Sequence, residues 1–154
     1  MNLYFPLFMD LSEKNILFVG AGSVNTGRIK TMLDFAGGIT VVSPEADPVI
    51  EGLSNEGRVI LHRRRFNETD LDGADIVIVS TGHAGTDVRI AAMCRRRGIL
   101  VNAASDKTLC DFYFPGIARK GPLVVGVTSS GEDHSLAAKA SAYFRKILGD
   151  NRDD

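Results

Sequence analysis

The stretch "NILFVGAGSVNTGR", residues 15–28, decides the fold. Its apolar run to Gly20 reads as a buried strand, and "SVNTGRIKTMLDFAG" as the helix that follows, closing at Gly37-Gly38. Gly20 and Gly22 fall between the two. The first glycine permits a tight turn, and the second lets a pyrophosphate approach the backbone. The helix N-terminus then offers free N–H groups and the positive end of its dipole. A lone GxG says little, but between the first strand and first helix of a βαβ unit it points to a bound dinucleotide. A merely tight turn is the alternative.

The chain repeats this rhythm. "ITVVS" (39–43) is the next strand, stopped by Pro44, and "RVILHRRRF" (58–66) a third, less buried one. "ADIVIVST" (74–81) is apolar along its whole length, as a central parallel strand should be. "TDVRIAAMCRRRG" is a helix with a glycine stop, and "ILVNAAS" (99–105) the fifth strand. This alternation with short connections predicts an α/β, doubly wound parallel sheet of Rossmann type.

After Pro115 the rhythm changes. "GPLVVGVTSSG" (121–131) supplies one more strand and "SLAAKASAYFRKIL" (135–148) an amphipathic helix. Such a short strand-helix addition has little core of its own. It is either a dimer interface or a sixth strand with its packing helix. The expected division is a dinucleotide-binding domain over 1–115, a dimerisation segment over 116–149 and a frayed polar tail over 150–154.

A chain of 154 residues is long enough for one domain with a real core. The formal charge of −1 argues against nucleic acid or an anionic membrane as the main partner. Cys94 and Cys110 are too few for a disulfide scaffold and are not spaced as a metal clip, so no metal site is expected and a reducing, cytoplasmic setting fits. The start, "MNLYFPLFMDLSEKN", lacks a basic leader and is interrupted by Pro6 and Asp10, so no signal peptide is expected. No apolar run has the length needed to span a bilayer.

The candidate cofactor residues follow from the turn. Gly20, Gly22, Ser23, Val24 and Asn25 surround the pyrophosphate position, Asn25 standing where the fingerprint has its third glycine. No acidic residue occupies the usual ribose-binding place at the end of the second strand. Ser43 takes it, with Glu45 a second candidate, and NAD against NADP stays open. The run Arg63-Arg64-Arg65 either receives a 2′-phosphate or is a solvated face. Ser80, Thr81 and Gly82, at the exit of the fourth strand, are placed to line the nicotinamide ribose, and His83 is the titratable side chain there.

Residues 101–115, "VNAASDKTLCDFYFP", start as a strand, drop into a polar knot at Asn102, Ser105 and Asp106, and run on through Phe112, Tyr113 and Phe114 to Pro115. From the residues alone this is equally a capped strand end before ordinary core aromatics, or a functional loop facing cofactor and substrate.

Taken in order, "YFPLFMDLSEKNILFVGAGSV", "ITVVSPE", "VNAASDKTLCDFYFP" and "GPLVVGVTSSG" resemble the N-terminal siroheme synthase family. Its members are precorrin-2 dehydrogenases, some of them also sirohydrochlorin ferrochelatases. The resemblance implies NAD-dependent oxidation of precorrin-2 to sirohydrochlorin by a homodimer built largely from the segment after residue 115. It places Asn102 beside the nicotinamide and the polar knot at the substrate. Members commonly carry a catalytic aspartate three residues after the asparagine that matches Asn102. Here that place holds Ser105, followed by Asp106. Either Asp106 substitutes for it, or positioning against the nicotinamide suffices and water takes the proton. Ser105 is not a base unaided.

Two further departures affect the expectations. "TSSGEDHS" (128–135) replaces a Ser-Pro turn with Glu132, Asp133 and His134, either an added acid/base cluster or an acidic helix cap. Relatives also continue into a helical region that covers the substrate, whereas the sequence here stops at Asp154, so a more open pocket, or one completed by a partner, is expected. A substrate with eight carboxylates calls for basic groups, and Arg28, Lys107 and Arg119 are candidates. The rival to the enzyme is a sensor that binds the dinucleotide and does no chemistry. A third reading is a chelatase without the redox step.

Overall fold

The structure is a computed structural model and describes residues 4–151. Its contacts divide the chain into two compact units. One is Asp10–Phe112; the other joins the chain before Asp10 to the chain from Tyr113 onward.

The larger unit is the expected doubly wound sheet. Strands β1 (Asn15–Ala21), β2 (Gly38–Ala46), β3 (Ile60–His62), β4 (Ile76–Val79) and β5 (Leu100–Ala103) are all parallel, in the order β3-β2-β1-β4-β5. Helix α1 (Ser23–Met32) follows β1, α2 (Pro48–Asn55) follows β2, and α3 (Ala84–Arg96) connects β4 to β5. The middle strands are buried on both faces, which is why they are continuous apolar runs: Ile16–Val19 and Ile76–Val79 are at most 4% exposed. Val79, Ile90, Ala91, Cys94 and Val101 close the core between α3 and the sheet. The strand order reverses between β1 and β4, so the crevice at their carboxyl ends is the switch point where such sheets bind ligands.

Several elements depart from expectation. Helix α1 ends at Met32 rather than at Gly37, and residues 33–36 tighten into turns whose amides reach Ile29, Thr31 and Met32. Strand β2 does not stop at Pro44. Its pairing with β1 shifts between Val42 and Ala46, so Pro44 sits where the ladder is interrupted and its missing N–H costs no bond. Strand β3 is only three residues long. Helix α2 was not expected; Asp47 caps it through the Val49 amide at 2.9 Å, with Pro48 as its first residue.

In the smaller unit, the segment after Pro115 is not a sixth strand of the large sheet. β6 (Gly116–Lys120) and β7 (Leu123–Val127) form a separate antiparallel hairpin. Its two-residue loop, Gly121-Pro122, puts a glycine at φ +55° in the first central position, as a type II′ turn requires. Helix α4 (His134–Leu148) packs on the hairpin, with Ser141 against Gly116, and ends at Gly149 in the left-handed conformation. Asp150 accepts a hydrogen bond from the Arg119 amide at 2.7 Å. The tail expected to fray lies, from residue 152 on, outside the described residues. Among the described residues no helix is long and apolar enough to cross a membrane.

Candidate functional site

A cavity of about 490 Å³ opens at the switch point. Gly20, Gly22, Ser23 and Val24 form one wall, Ser43, Glu45, Ala46 and Asp47 a second, and Ser80, Thr81 and Gly82 a third. Nine of the sequence candidates therefore meet in one place: Gly20, Gly22, Ser23, Val24, Ser43, Glu45, Ser80, Thr81 and Gly82.

The glycine turn is built for an anion. Gly22 is the cap of α1, no side chain caps the helix, and its first turn holds no acidic residue. The amino end is thus left open with its dipole uncompensated. A Cβ placed on Gly22 would meet nothing within 4 Å, so the space a side chain would fill belongs to the cavity. A pyrophosphate fits these features. Asn25 is oriented differently: it is fully buried, and its amide donates to the carbonyls of Gly20 at 2.7 Å and Val19 at 3.3 Å. It braces the turn from beneath and does not line the cavity.

At the end of β2 the acidic groups missing from the sequence pattern appear. Because the strand runs on to Ala46, Glu45 and Asp47 both reach the cavity wall. Asp47 went unnoticed in the sequence, although Asp-Pro ahead of an apolar-periodic segment is a helix-start signal. Two of the neighbouring arginines are engaged elsewhere. Arg63 pairs with Glu51, and Arg64 makes a two-pronged contact with Asp70 at 2.5 and 2.8 Å. No arginine of the run lines the cavity.

On the third wall, Thr81 is held from behind. Asp87, in the first turn of α3 and 1% exposed, accepts hydrogen bonds through Oδ1 from the Thr81 amide (3.2 Å) and the Thr81 hydroxyl (2.5 Å). Thr81 Oγ1 also accepts from the His83 amide at 3.2 Å. His83 itself is an exposed residue at the start of α3 whose side chain caps nothing.

The chain just beyond the polar knot protects the edge of the sheet. β5 is an edge strand, and residues 110–112 return alongside it. Asp111 accepts from the Val101 amide at 2.9 Å while its own amide donates to Val101 at 2.8 Å, and Cys110 Sγ meets both the amide and the carbonyl of Ala103. These contacts cover backbone groups that would otherwise offer a template for another strand. Asn102 is 2% exposed, and both ends of its amide are bonded: Oδ1 accepts from Arg28 at 2.9 Å and Nδ2 donates to the Phe112 carbonyl at 2.7 Å. Burial lowers the Arg28 guanidinium from its ordinary value and raises the Cys110 thiol.

Asp106 is the cap of the short helical turn Lys107–Leu109, accepting from the Thr108 amide at 2.8 Å and hydroxyl at 2.7 Å. Those bonds hold its carboxyl below the usual range, which makes it a weak base. Ser105 is exposed in the preceding turn, and neither residue lines the cavity. In the other unit, Asp133 caps α4 through the Leu136 amide at 2.8 Å, and His134 is the exposed first residue of that helix.

A family model described as "Putative NAD(P)-binding" matches residues 7–116. The chain is 35% identical over 145 residues to a siroheme synthase of Pseudoalteromonas atlantica, covering 94% of this chain and 30% of that protein. It is 34% identical over 134 residues to a siroheme synthase of Methylococcus capsulatus, covering 87% and 28%. The chain thus spans about a third or less of the curated relatives it matches. Among solved structures, SirC, a precorrin-2 dehydrogenase, superimposes with a TM-score of 0.70 at 25% identity, over 97% of this chain and 72% of that one.

Proposed function

The chain belongs to the NAD(P)-binding family matched over residues 7–116, among relatives of the siroheme synthases, and from that premise we propose that it is an NAD-dependent dehydrogenase oxidising precorrin-2 to sirohydrochlorin. The observation that carries the reading is the open amino end of α1 above a nucleotide-sized cavity at the switch point of the sheet. The likeness to SirC over nearly the whole chain supplies the substrate class.

In this reading the amides at the start of α1 hold the pyrophosphate. Glu45 and Asp47 accept from ribose hydroxyls and disfavour a 2′-phosphate, which supports NAD over NADP. Bound NAD supplies the hydride acceptor. Thr81 and Gly82 form the wall at the nicotinamide end. Neither carboxylate on the cavity wall stands at that end, and Asp106 is occupied as a cap. The protein therefore orients the ring, and the proton that leaves with the hydride goes to water. Anaerobic turnover of precorrin-2 with NAD, with NAD binding measured separately, tests the reading.

Among the described residues, the three that line that wall, Ser80, Thr81 and Gly82, carry no carboxylate or imidazole, which also favours the second reading, a dinucleotide-binding module without chemistry that would bind NAD and leave precorrin-2 unchanged.

We assign the face of α4 to a second copy of the chain. The helix buries only Ser141 and exposes Leu136, Tyr143 and Ile147 along one side. Phe5, Leu7 and Phe8 are exposed as well. A dimer in sedimentation, reduced to a monomer by Tyr143→Glu with Ile147→Glu, is the expected result; a wild-type monomer contradicts it. Two free thiols, Cys94 and Cys110, suit a reducing cytoplasm.

A further inference from the structure

Asp87 is a carboxylate that the proposed chemistry does not touch, yet it is among the most deeply buried polar residues of the larger unit. Burying a charged group is costly unless its oxygens are hydrogen-bonded. Both hydrogen bonds it receives from Thr81 fall on the same oxygen and grip both the backbone and the side chain of one residue. Thr81 lies next to Gly82, whose φ of +78° turns the loop, and both line the cavity. The His83 amide closes the arrangement by donating to the same Thr81 hydroxyl.

We propose that Asp87 is a positioning residue for the cofactor: from beneath the β4–α3 loop it fixes Thr81 and Gly82 in the conformation that receives the nicotinamide end of NAD. The proposal rests on the NAD-binding reading and deepens it. With its hydroxyl proton committed to Asp87, Thr81 cannot donate that proton to the cofactor. The loop's contribution is therefore its backbone and its shape, and these are what Asp87 holds. Without the carboxylate the loop must be ordered at the expense of binding. An amide oxygen in the same place accepts the same two bonds.

The experiment is titration of NAD into the full chain by calorimetry, alongside thermal unfolding, for the wild type, Asp87→Asn, Asp87→Ala and Thr81→Val. Asp87→Asn should bind as the wild type does. Asp87→Ala and Thr81→Val should each bind about tenfold more weakly. The double variant Asp87→Ala with Thr81→Val should be no worse than Asp87→Ala alone, because the two residues act as a unit. A purely structural role predicts lowered melting with unchanged affinity in the folded fraction, and that result overturns the proposal. Equal affinity in all variants overturns it too. If Asp87→Ala does not fold, Thr81→Val and Asp87→Asn still decide, since the first must lose affinity and the second keep it. Failure of the wild type to bind NAD overturns the underlying reading instead, which separates the two.

Discussion

A Cβ built on Gly20 would stand 2.1 Å from the carbonyl oxygen of Ser80. The carboxyl end of β1 thus lies directly against the exit of β4, and this close backbone approach brings two walls of the cavity together. Gly20 also sits at φ +95°, where a side chain is strained. Gly20→Ala should destabilise the fold by about 3 kcal/mol, from the strain and the clash together. Urea unfolding checks this; a loss under about 0.5 kcal/mol would mean that the contact is loose.

Gly22 is the opposite case, a glycine that the fold does not require and whose proposed role is toward the ligand. Its φ is an ordinary −82°, and its missing side chain faces open space. Gly22→Asp should leave thermal unfolding nearly unchanged and abolish NAD binding, by placing a carboxylate against the pyrophosphate. Unchanged affinity by calorimetry would remove the pyrophosphate from this turn.

Asp47 allows charge to be separated from structure. Asparagine caps a helix about as well as aspartate, so Asp47→Asn should preserve the Val49 contact while deleting a charge from the cavity wall. The preference for NAD over NADP should narrow about tenfold. Dissociation constants for the two cofactors provide the check, and an unchanged ratio would assign the selection to Glu45 or to neither.

Asp70 gives a pH dependence of known sign. Its carboxyl is held below the usual range, first by the Arg64 side chain and also by the Asn67 amide at 2.8 Å. A depressed folded value means that its support is complete above the ordinary carboxyl value of about 4, and is lost as pH falls through the lowered folded value. Asp70→Asn should therefore be less stable than the wild type at pH 7, with the gap closing towards pH 2. A gap that is constant with pH would contradict the pairing.

The parts of this fold legible in the sequence are those whose residues answer to burial alone. Ile16–Val19 and Ile76–Val79 face core on both sides, so composition suffices to mark them as strands. Pro44 misled because its effect depends on a partner strand: the interruption of the β1–β2 ladder that accommodates it is a property of two segments. For the same reason the hairpin partner "GIARK" went unseen, although Gly121-Pro122 carries the turn signal. In the candidate site, the glycine turn was legible because its geometry, a strand end running into a helix start, is local. Asn25 and Asn102 were placed at the cofactor, but the structure turns both amides onto backbone carbonyls and, for Asn102, onto Arg28. Asp87 was missed because an acidic residue in the first turn of a helix ordinarily faces solvent.

The most direct test of the account is anaerobic incubation of the purified chain with freshly made precorrin-2 and NAD, followed by its absorption spectrum, with Gly22→Asp as the control. The account predicts the sirohydrochlorin spectrum with the wild type, one NADH formed per product, and neither with the variant. Tight NAD binding by the wild type without any change in precorrin-2 would contradict it, and would make the chain a nucleotide-binding module instead of a dehydrogenase.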